Sequence, residues 1–228
     1  FYIREYEQET NLHAMLLVDT SGSMAYRGQN SSISKAQYAR VLATTLGTLL
    51  VQQQDAVGLA TFDSKLRDFL PARSTPAHLQ LIANTLTKPS QEGETSLSST
   101  LHHLTPRLPP RALLLLLSDC LDHLPDLLKS LALLRHRRHE IIIFHILDPD
   151  ELTFPFRHWT RFESLEKHDE FQNLDASSMR QVYLDNLNAF QNELSRGCKK
   201  HRVDLVNIST SESCSAVIGR YLHSRLPR

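Results

Sequence analysis

The sequence lacks a charge bias: 25 Lys and Arg balance 25 Asp and Glu. That balance gives no ground for sequence-independent binding to nucleic acid or to an anionic membrane surface. Its local basic runs, Arg135-His136-Arg137-Arg138-His139 and Lys199-Lys200-His201-Arg202, are expected to be solvated faces. Cysteine is scarce, with only Cys120, Cys198 and Cys214. An odd number without close spacing argues against a disulfide framework and for a reducing compartment. Without a CxxC pair, a structural zinc site is not expected. No apolar run is long enough to span a bilayer, and no signal peptide is recognised. The first residue is Phe1 rather than Met, as in a trimmed or processed piece with room for an anchor or partner domain upstream. The expected location is cytoplasmic, with membrane association through such an upstream segment as the alternative. No internal repeat, P-loop or GxSxG elbow appears.

At 228 residues the chain is long enough to bury a sizeable core, and one domain over 1–228 is expected. Four near-continuous apolar runs, at about 12–19, 56–62, 112–118 and 140–147, read as strands covered on both faces. The leucine run Leu113 to Leu117 is ambiguous by propensity, but Pro109-Pro110 before it and Ser118-Asp119 after it favour a strand. Between the runs lie helical stripes: Ala36, Ala39, Leu42, Ala43 and Leu46; Leu79, Ile82 and Leu86; Leu97, Leu101 and Leu104; and Leu124, Leu127, Leu131 and Leu134. A weaker edge strand is expected near 66–70. The segment 148–175 breaks this rhythm and reads as a β-hairpin insertion near 155–175, followed by a helix, a short strand at 203–208 and a last helix. The fold class that results is α/β: a doubly wound, mostly parallel central sheet flanked by helices, Rossmann-like in its layering.

The chemistry collects at the strand ends. Asp19-Thr20-Ser21-Gly22-Ser23 closes the first apolar run with one carboxylate and two hydroxyls. Hard oxygens of this kind suit Mg²⁺, Ca²⁺ or Mn²⁺ rather than zinc or copper. In a doubly wound sheet, ligands bind beyond the carboxyl ends of the strands where strand order reverses. Ser118-Asp119 ends another strand on that rim, and Gly93-Glu94-Thr95-Ser96 precedes a helix that brings one more hydroxyl towards it. A capping turn explains Asp and Ser at such positions as well, and for Thr95 a helix N-cap and a metal ligand are both open. Asp122 reads as a helix-start or supporting residue, and Glu94 as solvated.

The series Asp19, Ser21, Ser23, Thr95 and Asp119 resembles the D-x-S-x-S, Thr and Asp motif of a von Willebrand factor A domain with a metal-ion-dependent adhesion site. The flanking stretches Leu17 to Met24, Asp55 to Leu59, Gly93 to Thr95, Leu117 to Asp119 and Leu147 to Glu151 resemble its bacterial branch, domain of unknown function 58, over nearly the whole chain. The resemblance implies that Ser21, Ser23 and Thr95 offer hydroxyls directly to Mg²⁺, with Mn²⁺ or Ca²⁺ as alternatives. Asp19 and Asp119 would hold the ion through waters or hydroxyl hydrogen bonds. It implies a non-enzymatic protein-interaction module that takes an Asp or Glu of a partner protein as a further ligand. An adaptor role beside a MoxR-type AAA+ ATPase goes with it.

Other readings fare less well. An aspartic-protease loop would need glycine where Ser21 stands, and a second copy. An aspartyl-nucleophile phosphatase would need Asp at that same position. A metal-dependent hydrolase remains the enzymatic alternative, with His123 the histidine that follows a strand end closely. A structural domain with a vestigial site is the third. The pairs His102-His103 and His136-x-x-His139 are expected to be exposed. Trp159, Phe162 and Phe171 suit either a partner surface or a small satellite core.

Overall fold

A computed structural model describes residues 12–88, 97–157, 159–163 and 171–225. Its strands are β1 (His13–Asp19), β2 (Ala56–Phe62), β3 (Leu66–Arg73), β4 (Leu113–Ser118), β5 (Glu140–Leu147), β6 (Trp159–Glu163), β7 (Phe171–Asp175) and β8 (Asp204–Ser209). Its helices are α1 (Lys35–Gln52), α2 (Pro76–Leu86), α3 (Leu97–Leu104), α4 (Leu124–His136), α5 (Pro149–Thr153), α6 (Ala176–Lys200) and α7 (Cys214–Arg225). Six strands form one sheet in the order β3-β2-β1-β4-β5-β8, all parallel except β3. The remaining pair, β6 and β7, is the antiparallel hairpin expected of the 155–175 segment.

Alternation within the strands explains why their sequences look uniformly apolar. Leu16 and Val18 of β1, with Leu115 and Leu117 of β4, face a core shared with Leu42 of α1 and Val217 of α7. Met15 and Leu17, with Leu114 and Leu116, face the opposite core, shared with Leu101, Leu127 and Leu194 of α3, α4 and α6. The leucine run is therefore a strand because both of its faces are covered, and this burial outweighs leucine's helical preference. Each of these side chains contributes roughly 1.5–3 kcal/mol of transfer free energy. Gly58 is required by β3: a Cβ there would fall 2.7 Å from Leu70 O and would also meet Met15.

Helix starts follow local chemistry. Ser34 caps α1 in a reciprocal box with Gln37, and Thr75 caps α2 ahead of Pro76. The short helix α5 lies where the sequence suggested only a break. Asp148 caps it, Pro149 opens it, and Glu151 returns a bond to the Asp148 N–H. The expectation for His139 is also corrected. It is buried, and its Nδ1 accepts from Ala112 N at 3.1 Å, whereas His102, His103 and His136 are exposed. No helix among the described residues is long and apolar enough to cross a membrane.

Candidate functional site at the strand-order reversal

The sheet reverses its winding between β1 and β4, which lie side by side in register with Val18 opposite Leu117. One residue further on, the two chains diverge and their polar ends meet. Ser118 Oγ donates to Asp19 Oδ2 at 2.6 Å, and Ser21 N donates to Asp19 Oδ1 at 2.9 Å. Thr20 ties the same turn to β2, its N–H and hydroxyl both donating to Phe62 O. A 3₁₀ turn over Gly22–Ala25 follows, and the Ser21 and Ser23 hydroxyls stand 3.2 Å apart. Asp19, Ser21 and Asp119 have no exposed surface, and Ser23 is nearly buried.

Two buried carboxylates on one rim cannot share the same electrostatics. Burial pushes the Asp19 carboxyl up to about 7, and the neighbouring charge of Asp119 pushes in the same direction. Asp119 suffers the same desolvation, but the Lys35 ammonium overrides it and holds Asp119 below its ordinary value. Lys35 Nζ lies 2.8 Å from Asp119 Oδ2 and 2.7 Å from Glu151 Oε1, with none of its side chain exposed. Burial disfavours its charge, yet the two carboxylates keep it protonated. Burial likewise raises Glu151 and lowers His145. His145 Nε2 bonds the Asp119 carbonyl at 3.0 Å and steadies the end of β4 from β5.

The turn after Ser23 is held from the far side by α5. Gly28 N donates to Asp148 Oδ2, Gln29 N to Asp150 Oδ2, and Asn30 Nδ2 to Asp150 Oδ1. A side chain at position 28 would collide with both carboxylates. Asp122 accepts from Ser98 N at 2.8 Å and so anchors the first turn of α3 to the loop after β4. His123 is exposed and pairs with Asp126.

Four of the five residues expected at the site, Asp19, Ser21, Ser23 and Asp119, converge on one rim. Thr95 and Glu94 lie outside the described residues, as do the side chains of Trp159, Phe162 and Phe171. Lys35, Glu151 and His145 were not foreseen. Lys35 follows a helix cap, where lysine is ordinary, and only the tertiary fold shows it turned inwards. The donor chemistry suits a hard cation: hydroxyl oxygens sit beside a buried carboxylate whose ionised form has no fixed positive partner among the described residues. Among the described residues no group of three or more His, Cys, Asp or Glu forms a metal-holding set, so any such ion would depend on the hydroxyls.

A mostly parallel sheet carrying Asp and Ser loops at its winding reversal defines a von Willebrand A-type domain. Its fold is similar to that of the SpRpn10 VWA domain, with a TM-score of 0.52, 14% identity, and 92% of this chain and 95% of that one covered. It is also similar to BatB, a conserved hypothetical protein from Bacteroides thetaiotaomicron, with a TM-score of 0.59, 13% identity, and 93% and 98% of the two chains covered. An aerotolerance-related membrane protein from Bacteroides fragilis gives a TM-score of 0.55 at 14% identity, over 92% and 97% of the two chains. At such identities the likeness concerns the fold. The sequence model of the family described as "Protein of unknown function DUF58" matches residues 1–193, and the chain belongs to that family. No curated protein matches the sequence.

Proposed function

We propose that this domain is a divalent-cation-dependent protein-binding module, not an enzyme, and that Asp19, Ser21, Ser23, Thr95 and Asp119 form its metal-ion-dependent adhesion site. The observation that carries this reading is the meeting of Asp19 and Asp119 with the Ser21 and Ser23 hydroxyls at the β1–β4 reversal. Ser21, Ser23 and Thr95 would offer hydroxyls directly, and Asp19 and Asp119 would act through waters. Mg²⁺, or Mn²⁺ or Ca²⁺ in its place, would supply an electrophilic coordination position for a partner's Asp or Glu. The partner to try first is a MoxR-type AAA+ ATPase, which the family resemblance suggests. Three free cysteines fit a cytoplasmic setting.

Calorimetric titration of Mg²⁺ into the wild type and into Asp19→Ala tests the reading. Binding by the wild type and its loss in a folded Asp19→Ala support it. Unchanged affinity in that variant removes Asp19 from the site. A screen against phosphoesters with Mg²⁺ or Mn²⁺ separates the module from a hydrolase, for which turnover abolished by Asp119→Ala would be decisive.

A further inference from the structure

Lys35 is the single lysine among the described residues that is wholly buried, and it points at the centre of the proposed site. Its position is built in. Lys35 is the first residue of α1, the Ser34–Gln37 box fixes the helix start, and its own N–H donates to Tyr26 O at 3.1 Å. Its ammonium bridges Asp119 at the end of β4 and Glu151 in α5. A divalent ion reached by Asp119 and the two serine hydroxyls would therefore bind beside a fixed positive charge, in a region where water screens little.

We propose that Lys35 is an internal cation that competes with the divalent ion for Asp119 and thereby sets the affinity and occupancy of the site. The inference rests on the metal-site reading above and deepens it. Asp119 is held by Lys35 when the ion is absent. With an ion bound, Asp119 would divide its charge between the ion's waters and the ammonium, and Glu151 would remain the ammonium's second partner. The repulsion between the ion and the ammonium keeps the ion weakly held. An acidic partner side chain adds the negative charge that offsets this repulsion. Ion and acidic partner then bind cooperatively, each raising the affinity for the other by the same factor. The charged chemistry selects a carboxylate-bearing partner over a neutral one, because a neutral ligand contributes no such compensation.

The test is a calorimetric titration of Mn²⁺ into the wild type, Lys35→Met and the double variant Lys35→Met/Glu151→Gln. Methionine keeps most of the side-chain length while removing the charge. The double variant also neutralises Glu151, one of the two carboxylates that lose the ammonium, so it is the less strained protein to measure if the single change destabilises the chain. The expected result is Mn²⁺ binding at least about tenfold tighter in the variants than in the wild type, the order given by removing one adjacent like charge. Equal or weaker binding in the folded variants, with binding retained by the wild type, overturns the role of Lys35 and leaves the metal site standing. No Mn²⁺ binding by any of the three proteins overturns both.

Discussion

The Ser118 hydroxyl donates to the Asp19 carboxylate across 2.6 Å and joins the ends of two neighbouring parallel strands that are 99 residues apart in sequence. Both side chains are wholly buried. The same oxygen accepts from Cys120 N at 2.9 Å, which holds the left-handed turn that carries Asp119 out of the strand. Ser118→Ala therefore leaves a buried carboxylate oxygen and a buried N–H each short of a partner. The expected loss is about 1–3 kcal/mol of stability, because buried polar groups without partners carry their desolvation cost. Urea unfolding of the two proteins measures it, and an unchanged midpoint would show that water replaces the hydroxyl.

His139 gives the molecule an acid-sensitive point away from the proposed metal site. Burial lowers its pKa, and Nδ1 must stay unprotonated to accept from Ala112 N. The folded value lies below the unfolded one, so the unfolded chain takes up the proton first. Stability is then full above about pH 6.5 and is lost as pH falls below it. Melting temperatures measured between neutral pH and about pH 5 should fall more steeply for the wild type than for His139→Gln. Parallel curves would refute the assignment.

The three thiols should react in sequence. Burial pushes Cys198 up to about 11 and Cys120 well above the ordinary thiol value, and both lie in the core behind β4. Cys214, at the start of α7, is only partly buried. Because the thiolate is the reacting form, a disulfide reagent should label Cys214 first in the native protein. Cys120 and Cys198 should follow only on unfolding, as mass spectrometry of the labelled chain would show. Rapid labelling of Cys120 in the folded state would contradict this packing.

The sheet was legible in the sequence because its signal is local. An apolar run of strand length, closed by polar residues, reports burial on both faces whichever partners supply it. Asp19 and Asp119 were legible for a related reason: a carboxylate at the end of such a run sits on the rim by construction. Lys35 was not legible. A lysine after a helix-capping serine is ordinarily solvated, and only the approach of β4 and α5 turns it into a buried ion-pair partner. The helix α5 was missed because five residues are too few to show a period, although Asp148-Pro149-Asp150-Glu151 carries the cap, the opening proline and the capping-box glutamate. His139 was misread for the converse reason. Its neighbours Arg137 and Arg138 are exposed, and the chain turns inwards immediately after them.

The bridge from Lys35 spans 84 residues to Asp119 and 116 to Glu151. A chain growing from its N-terminus holds the Asp19 turn and Lys35 long before β4 and α5 exist. Contacts at such separations form late, after the loop-closure entropy of the intervening chain has been overcome. During synthesis the buried ammonium thus waits for both of its partners, and the rim becomes competent only after β4 and α5 have joined it.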